Sequence, residues 1–293
     1  MRAAVLHDVL SAAAHRLRGA GLDAADAAAD VDVLARHVLG WDRGRLLANR
    51  RDAVPPAFVQ PFTALVERRA ERVPVAYLTG TREFYGLDFE VTPDVLIPRP
   101  ETELAVEAAL DALASLGSSG RVVDVGTGSG CIAVAIAVTR RDATIVAIDR
   151  SPAALAVAGR NVRRHGVADR VALVAGDVLT ALSSRRPVDV VVSNPPYVPD
   201  HSADVAPDVA RYEPASALYA GPDGLDVVRR LVAGAAPVVR PGGRLVLEIG
   251  IGQADAVATI AATEPAWTGV TFRPDLQGIA RIAVLTRATV SGR

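Results

Sequence analysis

The sequence predicts an α/β protein that carries a small all-helical domain ahead of its sheet. Beyond Pro100, short stretches rich in β-branched residues alternate with helical stretches, a pattern typical of βαβ units. We therefore expect a doubly wound, mostly parallel seven-stranded sheet. Before Arg72 the apolar residues recur at helical spacing instead. We expect a helical domain over residues 1–74, a β-hairpin linker over 75–98 and the sheet domain over 99–293.

The helical domain and the hairpin linker are predicted from the spacing of apolar residues and from glycine and proline residues that interrupt helices. Val31, Leu34 and Val38 fall on one helical face, and breaks around residues 19–21, Gly40 and Pro55-Pro56 divide the segment into several short helices. Residues 75–91 then combine aromatic and β-branched side chains with glycine. This composition predicts a hairpin.

The sheet domain is predicted to begin with a helix over 101–116. Strands are expected at 121–125, 144–148, 171–174 and 188–193, and a buried strand at 245–249. Two further strands, around 269–272 and 279–286, are expected to be antiparallel.

Composition excludes several classes of protein. No apolar run approaches the ~18 residues of a spanning helix, and the N-terminus does not resemble a signal peptide. We therefore expect a cytoplasmic protein. The single cysteine, Cys131, excludes an internal disulfide, and no zinc-ligand spacing occurs, so no metal is expected. A net charge of −1 disfavours a nucleic-acid partner.

A glycine-rich loop after the first strand of the sheet predicts a cofactor site. The predicted cofactor contacts in it are Gly126, Thr127, Gly128, Ser129 and Gly130. The loop joins a strand to an apolar helix, so backbone N–H groups and a helix N-terminus face the ligand, and glycine allows close approach. The alternative is an ordinary tight turn.

Acidic residues at two further strand ends support this prediction. Asp149 follows the second strand, 19 residues after Gly130, which is close to the offset at which an acidic residue binds ribose hydroxyls. Asp177 and Val178 follow the third strand. These strand ends define one crevice of nucleoside size, whereas the GxGxG spacing disfavours a dinucleotide. The alternative role for each aspartate is a helix N-cap.

The fourth strand leads into Asn194, Pro195, Pro196 and Tyr197, the predicted catalytic and substrate-binding residues. Two prolines make the loop stiff and remove two N–H donors, so the loop presents acceptors. A planar –NH2 group fits such a loop: its hydrogens can be shared by the Asn194 side-chain oxygen and the Pro195 carbonyl, while Tyr197 packs against the flat group. The alternative is a proline turn without chemistry.

This loop is similar to the acceptor loop of methyltransferases that act on exocyclic amines or side-chain amides. More narrowly, nearly the whole chain resembles the release-factor glutamine methyltransferases, also called the HemK or PrmC type. The motifs that carry the resemblance are Thr81-Arg82-Glu83-Phe84-Tyr85-Gly86-Leu87, Leu96-Ile97-Pro98-Arg99-Pro100-Glu101-Thr102-Glu103, the loop at 124–130, Asn194-Pro195-Pro196-Tyr197, Tyr212-Glu213-Pro214, Asp223-Gly224-Leu225, Leu247-Glu248-Ile249-Gly250 and Asp275-Leu276-Gln277-Gly278.

The resemblance implies methylation of the glutamine in the Gly-Gly-Gln motif of class-one peptide-chain release factors, with S-adenosylmethionine as cofactor. It implies that residues 126–130, Asp149 and Asn194 contact the cofactor and that 194–197 hold the glutamine. The helical domain, which carries neither motif, is expected to recognise the protein substrate. One departure concerns Val178, which stands where the family often has an aromatic residue.

Two other functions stay open at this point. A DNA adenine methyltransferase would share the acceptor chemistry, but it requires a base-flipping pocket and usually a basic recognition region. A non-catalytic nucleoside-binding module is the second.

Glu213 and Glu248 are interpreted as surface carboxylates or structural hydrogen-bond partners and not as general bases. Arg99 and Glu101 form either an ion pair or contacts to the ligands.

Overall fold

The structure, a computed structural model, describes residues 5–117 and 120–289 of the 293-residue chain. The chain forms two compact units. The smaller contains the residues up to Thr81 together with Pro207–Tyr212, and the larger contains Arg82–Ala206 and the residues from Glu213 onward. Among the described residues, no helix combines the length and the apolar character needed to cross a membrane.

The secondary-structure elements are numbered in chain order. The helices are α1 (Leu6–Gly19), α2 (Ala24–Leu39), α3 (Arg43–Ala48), α4 (Val59–Ala70), α5 (Val75–Thr79), α6 (Glu103–Leu116), α7 (Cys131–Thr139), α8 (Pro152–Arg164), α9 (Pro207–Tyr212), α10 (Asp226–Ala235) and α11 (Ala254–Ala262). The strands are β1 (Thr81–Phe84), β2 (Leu87–Glu90), β3 (Arg121–Val125), β4 (Thr144–Asp149), β5 (Val171–Ala175), β6 (Val188–Ser193), β7 (Val239–Glu248), β8 (Trp267–Pro274) and β9 (Ala280–Arg287).

The smaller unit is helical, as predicted, and packs around its own core. Leu10 of α1 and Leu34 of α2 are fully buried there, beside Phe58 and Phe62, whose rings stack with centroids 4.6 Å apart. Asp23 caps the start of α2 by accepting a hydrogen bond from the Asp26 N–H at 2.8 Å. Periodic apolar residues and caps together account for these helices.

The hairpin predicted for residues 75–91 is shorter than expected. Residues Val75–Thr79 form the helix α5, and the hairpin consists of β1 and β2 alone. The helix starts after Pro74 and ends at Gly80, which has a left-handed φ of 69°. Leu78 is buried in the helical core. Packing therefore overrides the strand preference of this β-branched and aromatic segment.

The larger unit contains the predicted seven-stranded sheet, in the order β5-β4-β3-β6-β7-β9-β8. Strands β3 to β7 pair in parallel, and the last two strands are antiparallel, as the sequence predicts. At the centre, Val125 of β3 is in register with Ile148 of β4 and with Ser193 of β6. The loops that follow these three strands therefore leave the sheet at one edge.

The core of the larger unit covers both faces of this sheet. All six residues of β6 are buried, as expected for a central parallel strand. On one face, α7 is buried over Cys131–Ala137. A helix that is apolar on every side belongs inside a core, and α7 follows directly after the glycine loop. The loop is therefore held between β3 and a fully packed helix.

A single buried asparagine connects the hairpin, α8 and the glycine loop. Asn161 is 0% exposed. Its side-chain oxygen accepts a hydrogen bond from the Glu90 N–H at 2.7 Å, and its Nδ2 donates to the Glu90 carbonyl at 2.9 Å and the Ser129 carbonyl at 2.8 Å. Three backbone groups thus depend on one side chain.

We expect Asn161→Ala to lower the free energy of unfolding by about 2–4 kcal/mol, because buried donors and acceptors lose their partner. Urea unfolding measures this value. Arg160→Ala is the matched control, since it removes a partly exposed ion pair with the Glu90 side chain and should cost at most about 1 kcal/mol. Equal losses in the two variants would contradict the role assigned to Asn161.

Candidate active site

A cleft opens at the edge of the sheet where β3, β4, β5 and β6 end. Its empty volume, counted out to the open mouth, is about 1070 Å³. The predicted site residues that line it are Gly126, Thr127, Gly128, Ser129, Asp149, Asp177, Val178, Asn194, Pro195 and Pro196. Gly130 and Tyr197 do not line it. The structure thus brings four separate segments of the sequence into one cavity.

The glycines of the first loop have different roles. Gly126 and Gly128 line the cleft and have φ values of 71° and 54°; a Cβ on Gly126 would meet nothing within 4 Å, and one on Gly128 only the Gly126 carbonyl oxygen at 3.9 Å. Gly130 has a φ of 82°, but its Cβ would lie 3.2 Å from the Cβ of Ala158 on α8. The first two glycines therefore keep the cleft open, whereas Gly130 combines a left-handed φ with close packing against Ala158.

A buried carboxylate supports this loop from behind. Asp124 is 0% exposed, and its Oδ2 accepts hydrogen bonds from the Thr127 hydroxyl at 2.6 Å and the Ala133 N–H at 3.2 Å. Burial raises the pKa of Asp124 to about 7. The Oδ1 atom of Asp124 and the Oγ of Ser129 are buried without a partner among the described residues.

Asp149 links the second strand to the glycine loop. Its Oδ2 accepts from the Gly128 N–H and its Oδ1 from the Ser151 N–H, both at 2.9 Å. The N-cap of α8 is Ser151, which accepts from Ala154, so the capping role considered for Asp149 is wrong. Each carboxylate oxygen retains a lone pair for a further donor.

The third strand end contributes Asp177 and Val178. The Asp177 carboxylate pairs with Arg230 at 2.5 Å, and both side chains are about half exposed. Val178 has a left-handed φ of 53°, which a β-branched residue rarely adopts. No helix begins at Asp177, so the capping alternative is wrong here as well.

The acceptor loop presents Asn194, Pro195 and Pro196 to the cleft. Tyr197 is directed elsewhere: its hydroxyl donates to Glu248 Oε1 at 3.2 Å, and its carbonyl accepts from Gln253 Nε2 at 3.0 Å. Burial raises the pKa of this phenol above its usual range. The predicted contact between Tyr197 and the substrate stays a prediction.

Two polar residues behind this loop were not singled out as site residues by the sequence. Thr102 and Glu248 are each 2% exposed. The Thr102 hydroxyl donates to Glu248 Oε2 at 2.6 Å and accepts from Asn194 Nδ2 at 3.0 Å. Burial raises the pKa of Glu248 to about 7. Of the two roles expected for Glu248, the surface carboxylate is wrong and the structural hydrogen-bond partner is correct.

Glu213 is also buried, at 5% exposed. It accepts from the Ile97 N–H at 3.0 Å and from Arg99 at 2.5 Å. Arg99 therefore pairs with Glu213 and not with Glu101, its neighbour in the sequence. This pair ties down the segment from Asp94 to Pro98, four residues of which line the cleft. No local sequence pattern reveals a partner 114 residues away.

The cleft fits a nucleoside cofactor on its own geometry. The open space at Gly126 and Gly128 admits a ligand close to the backbone, and Ser129 Oγ and the remaining lone pairs of Asp149 are available for hydrogen bonds. Apolar side chains such as Ile132 and Val178 complete the lining. Such a combination of apolar walls with a few polar groups is typical of cofactor sites.

Comparison with known proteins gives consistent results along the chain. The profile of the PrmC N-terminal domain matches residues 8–80, and that of the methyltransferase small domain matches residues 101–211. The solved structure of a methyltransferase from Pyrococcus furiosus is 17% identical, with a TM-score of 0.51, and the match covers 78% of this chain and 98% of that one. This last likeness concerns the fold alone.

Curated relatives are considerably closer in sequence. The release factor glutamine methyltransferase of Burkholderia pseudomallei is 45% identical over 92% of this chain and 94% of its own length. That of Moorella thermoacetica is 43% identical over 93% of this chain and 95% of its own length. At this identity and coverage, the chain belongs to the release factor glutamine methyltransferase family.

Proposed function

We propose that this protein transfers a methyl group from S-adenosylmethionine to the side-chain nitrogen of the glutamine in the Gly-Gly-Gln motif of class-one peptide-chain release factors. The observation that carries the proposal is the acceptor loop. Asn194, Pro195 and Pro196 line the same cleft as the glycine loop. The reaction would take place in the cytoplasm, where release factors act, and would modulate translation termination.

The cofactor side of the cleft would be formed by residues 126–129, Asp149 and the Asp177-Val178 turn. The Asp149 carboxylate, which accepts from the Gly128 N–H, would also accept from ribose hydroxyls. Val178 would cover the adenine from one side. The bound cofactor supplies an electrophilic methyl group on its sulfonium. The side chains of this protein orient it and exclude water.

The acceptor side holds a poor nucleophile, because the lone pair of an amide nitrogen is delocalised. Asn194 Nδ2 already donates to Thr102, so its Oδ1 would accept from the substrate –NH2. The Pro195 carbonyl can accept the second hydrogen. Both hydrogen bonds strengthen as positive charge develops on the nitrogen, which favours the transition state over the ground state. Orientation contributes up to ~7–11 kcal/mol in such reactions.

The direct test uses the pure protein, labelled S-adenosylmethionine and either a class-one release factor or DNA, with mass spectrometry to locate the label. We expect the label on the glutamine of the Gly-Gly-Gln motif. A label on adenine would replace the proposal by the DNA alternative. Absence of transfer to either substrate, with the cofactor bound, would favour a binding module.

We expect Asp149→Ala to weaken cofactor binding by about 10-fold to 100-fold, since a hydrogen bond to a charged group is lost. Titration calorimetry measures the affinity. Asp142→Ala is the control: Asp142 precedes β4 at the opposite end of the strand, where it pairs with Arg140, and its removal should leave the affinity unchanged. Unchanged affinity in Asp149→Ala would reject the ribose assignment.

We expect Asn194→Ala to slow methyl transfer by about 100-fold to 1,000-fold, by analogy with the loss of one oxyanion-hole donor. The stiff prolines remain, so the fold and most cofactor contacts should survive. Asn194→Asp keeps an acceptor and should retain more activity than Asn194→Ala. Single-turnover methylation of a release factor measures all three rates. A wild-type rate in Asn194→Ala would show that this loop is not the acceptor site.

We further propose that the helical unit recognises the protein substrate. It holds neither the glycine loop nor the acceptor loop. Deletion of the residues before Arg72 should therefore leave cofactor affinity intact while methylation of the whole release factor is lost. Calorimetry and methylation of the same truncated protein measure the two effects. Full activity on the intact factor would show that the unit has another role.

A further inference from the structure

One buried carboxylate holds both ends of the acceptor loop. Glu248 Oε1 accepts from the hydroxyl of Tyr197, the last residue of the loop, at 3.2 Å. Glu248 Oε2 accepts from Thr102 at 2.6 Å, and Thr102 in turn accepts from Asn194, the first residue, at 3.0 Å. The three hydrogen bonds form a continuous chain from Asn194 to Tyr197.

The order of donors in this chain determines how the Asn194 amide is turned. An ionised carboxylate only accepts hydrogen bonds, so the single hydroxyl hydrogen of Thr102 is used on Glu248. The Thr102 hydroxyl can then only accept a hydrogen bond from Asn194. The group of Asn194 that turns toward Thr102 must therefore be its –NH2. The oxygen of Asn194 is left on the other side.

We propose that Thr102 and Glu248 are positioning residues: they hold the Asn194 side chain with its oxygen, and not its –NH2, toward the substrate nitrogen. This inference rests on the proposed function, because the oxygen is useful only to a substrate that donates hydrogens. The residues act through Asn194 and do not touch the reacting atoms. Both are 2% exposed, so their polar groups have no role in solubility.

The same chain makes the amide orientation depend on the protonation of Glu248. If Glu248 Oε2 were protonated, it would donate a hydrogen bond to Thr102. The Thr102 hydroxyl would then donate to Asn194, and the amide oxygen of Asn194 would turn toward Thr102 to accept it. The –NH2 of Asn194 would then face the substrate, and Asn194 could no longer accept a hydrogen bond from the substrate nitrogen. Because burial raises the pKa of Glu248 to about 7, the active orientation prevails above this pH and the inactive one below it.

Other ionisable groups act on Glu248 from each neighbouring element. Glu101, beside Thr102, raises its pKa further, whereas Arg281 of β9 lowers it. Tyr197 stabilises the ionised form through its hydrogen bond, and Cys131 of α7 is close enough for its own pKa to be raised by Glu248. Asp124 has a raised pKa in the same range, so a pH profile by itself would not identify the titrating group.

The kinetic test therefore compares two variants of one position. Thr102→Val removes the hydroxyl with little change in volume, whereas Thr102→Ser keeps it. We expect Thr102→Val to lower the single-turnover rate by about 10-fold to 100-fold at unchanged cofactor affinity, the effect of one misdirected hydrogen bond, and Thr102→Ser to restore most of it. The ratio of wild-type to Thr102→Val rates should fall as the pH drops below about 7. This ratio cancels the titration of Asp124.

A second measurement needs no substrate. The chain contains three asparagines, Asn49, Asn161 and Asn194, so asparagine labelled with ¹⁵N gives three resolvable side-chain amides by NMR. We expect the Asn194 signal to titrate near pH 7 in the wild type and in Thr102→Ser, and to be insensitive in Thr102→Val and Glu248→Gln. Asn161, held by backbone groups, serves as the internal control.

The outcomes separate this inference from the proposed function. If Thr102→Val methylates the release factor at the wild-type rate, or if the Asn194 signal of the wild type does not titrate, the positioning role is overturned while the function stands. If the wild type methylates no release factor, the proposed function fails, and the NMR titration still decides whether Glu248 turns the amide. Should Thr102→Val not fold, the comparison of the wild type with Glu248→Gln decides it: an Asn194 signal that titrates equally in both would overturn the positioning role.

Discussion

The level parallel register at the centre of the sheet is the constraint on which the site depends. Val125 pairs with Ile148 on one side and with Ser193 on the other, so β3, β4 and β6 end together. Residues far apart in the chain therefore share one cleft. A shift of β6 by one residue would turn its side chains to the opposite faces of the sheet. The cleft would then lose its acceptor wall.

Three buried carboxylates, Asp124, Glu213 and Glu248, order the walls of this cleft. Burial of a charge is costly unless hydrogen bonds compensate it. Asp124 is compensated by the glycine loop and α7, and Glu213 by Arg99 and the Ile97 N–H. Glu248 is compensated through Thr102 and Tyr197. Each desolvated group thus holds one segment that lines the cleft.

The acceptor loop presents few hydrogen-bond donors. Proline has no N–H group, and the hydroxyls of Thr102 and Tyr197 already donate hydrogen bonds to Glu248. Acceptors therefore dominate the surface offered to the substrate. A group with two hydrogens on a planar nitrogen matches this surface, whereas a group that only accepts hydrogen bonds would be repelled. The proposed selectivity for an amide nitrogen would therefore need no general base.

The sequence by itself determined the α/β architecture, the order of most strands and helices along the chain, and ten of the residues that line the cleft, because alternation, glycine spacing and proline chemistry are local properties. Only the tertiary structure decided the rest. Val75–Thr79 became helical because Leu78 is buried in the core of the helical unit, and Gly130 is needed because it combines a left-handed φ with close packing against Ala158. Glu248 contacts Thr102 across 146 residues. Glu248 is buried by residues that are distant in the sequence, and this burial raises its pKa. No local sequence pattern encodes such an environment.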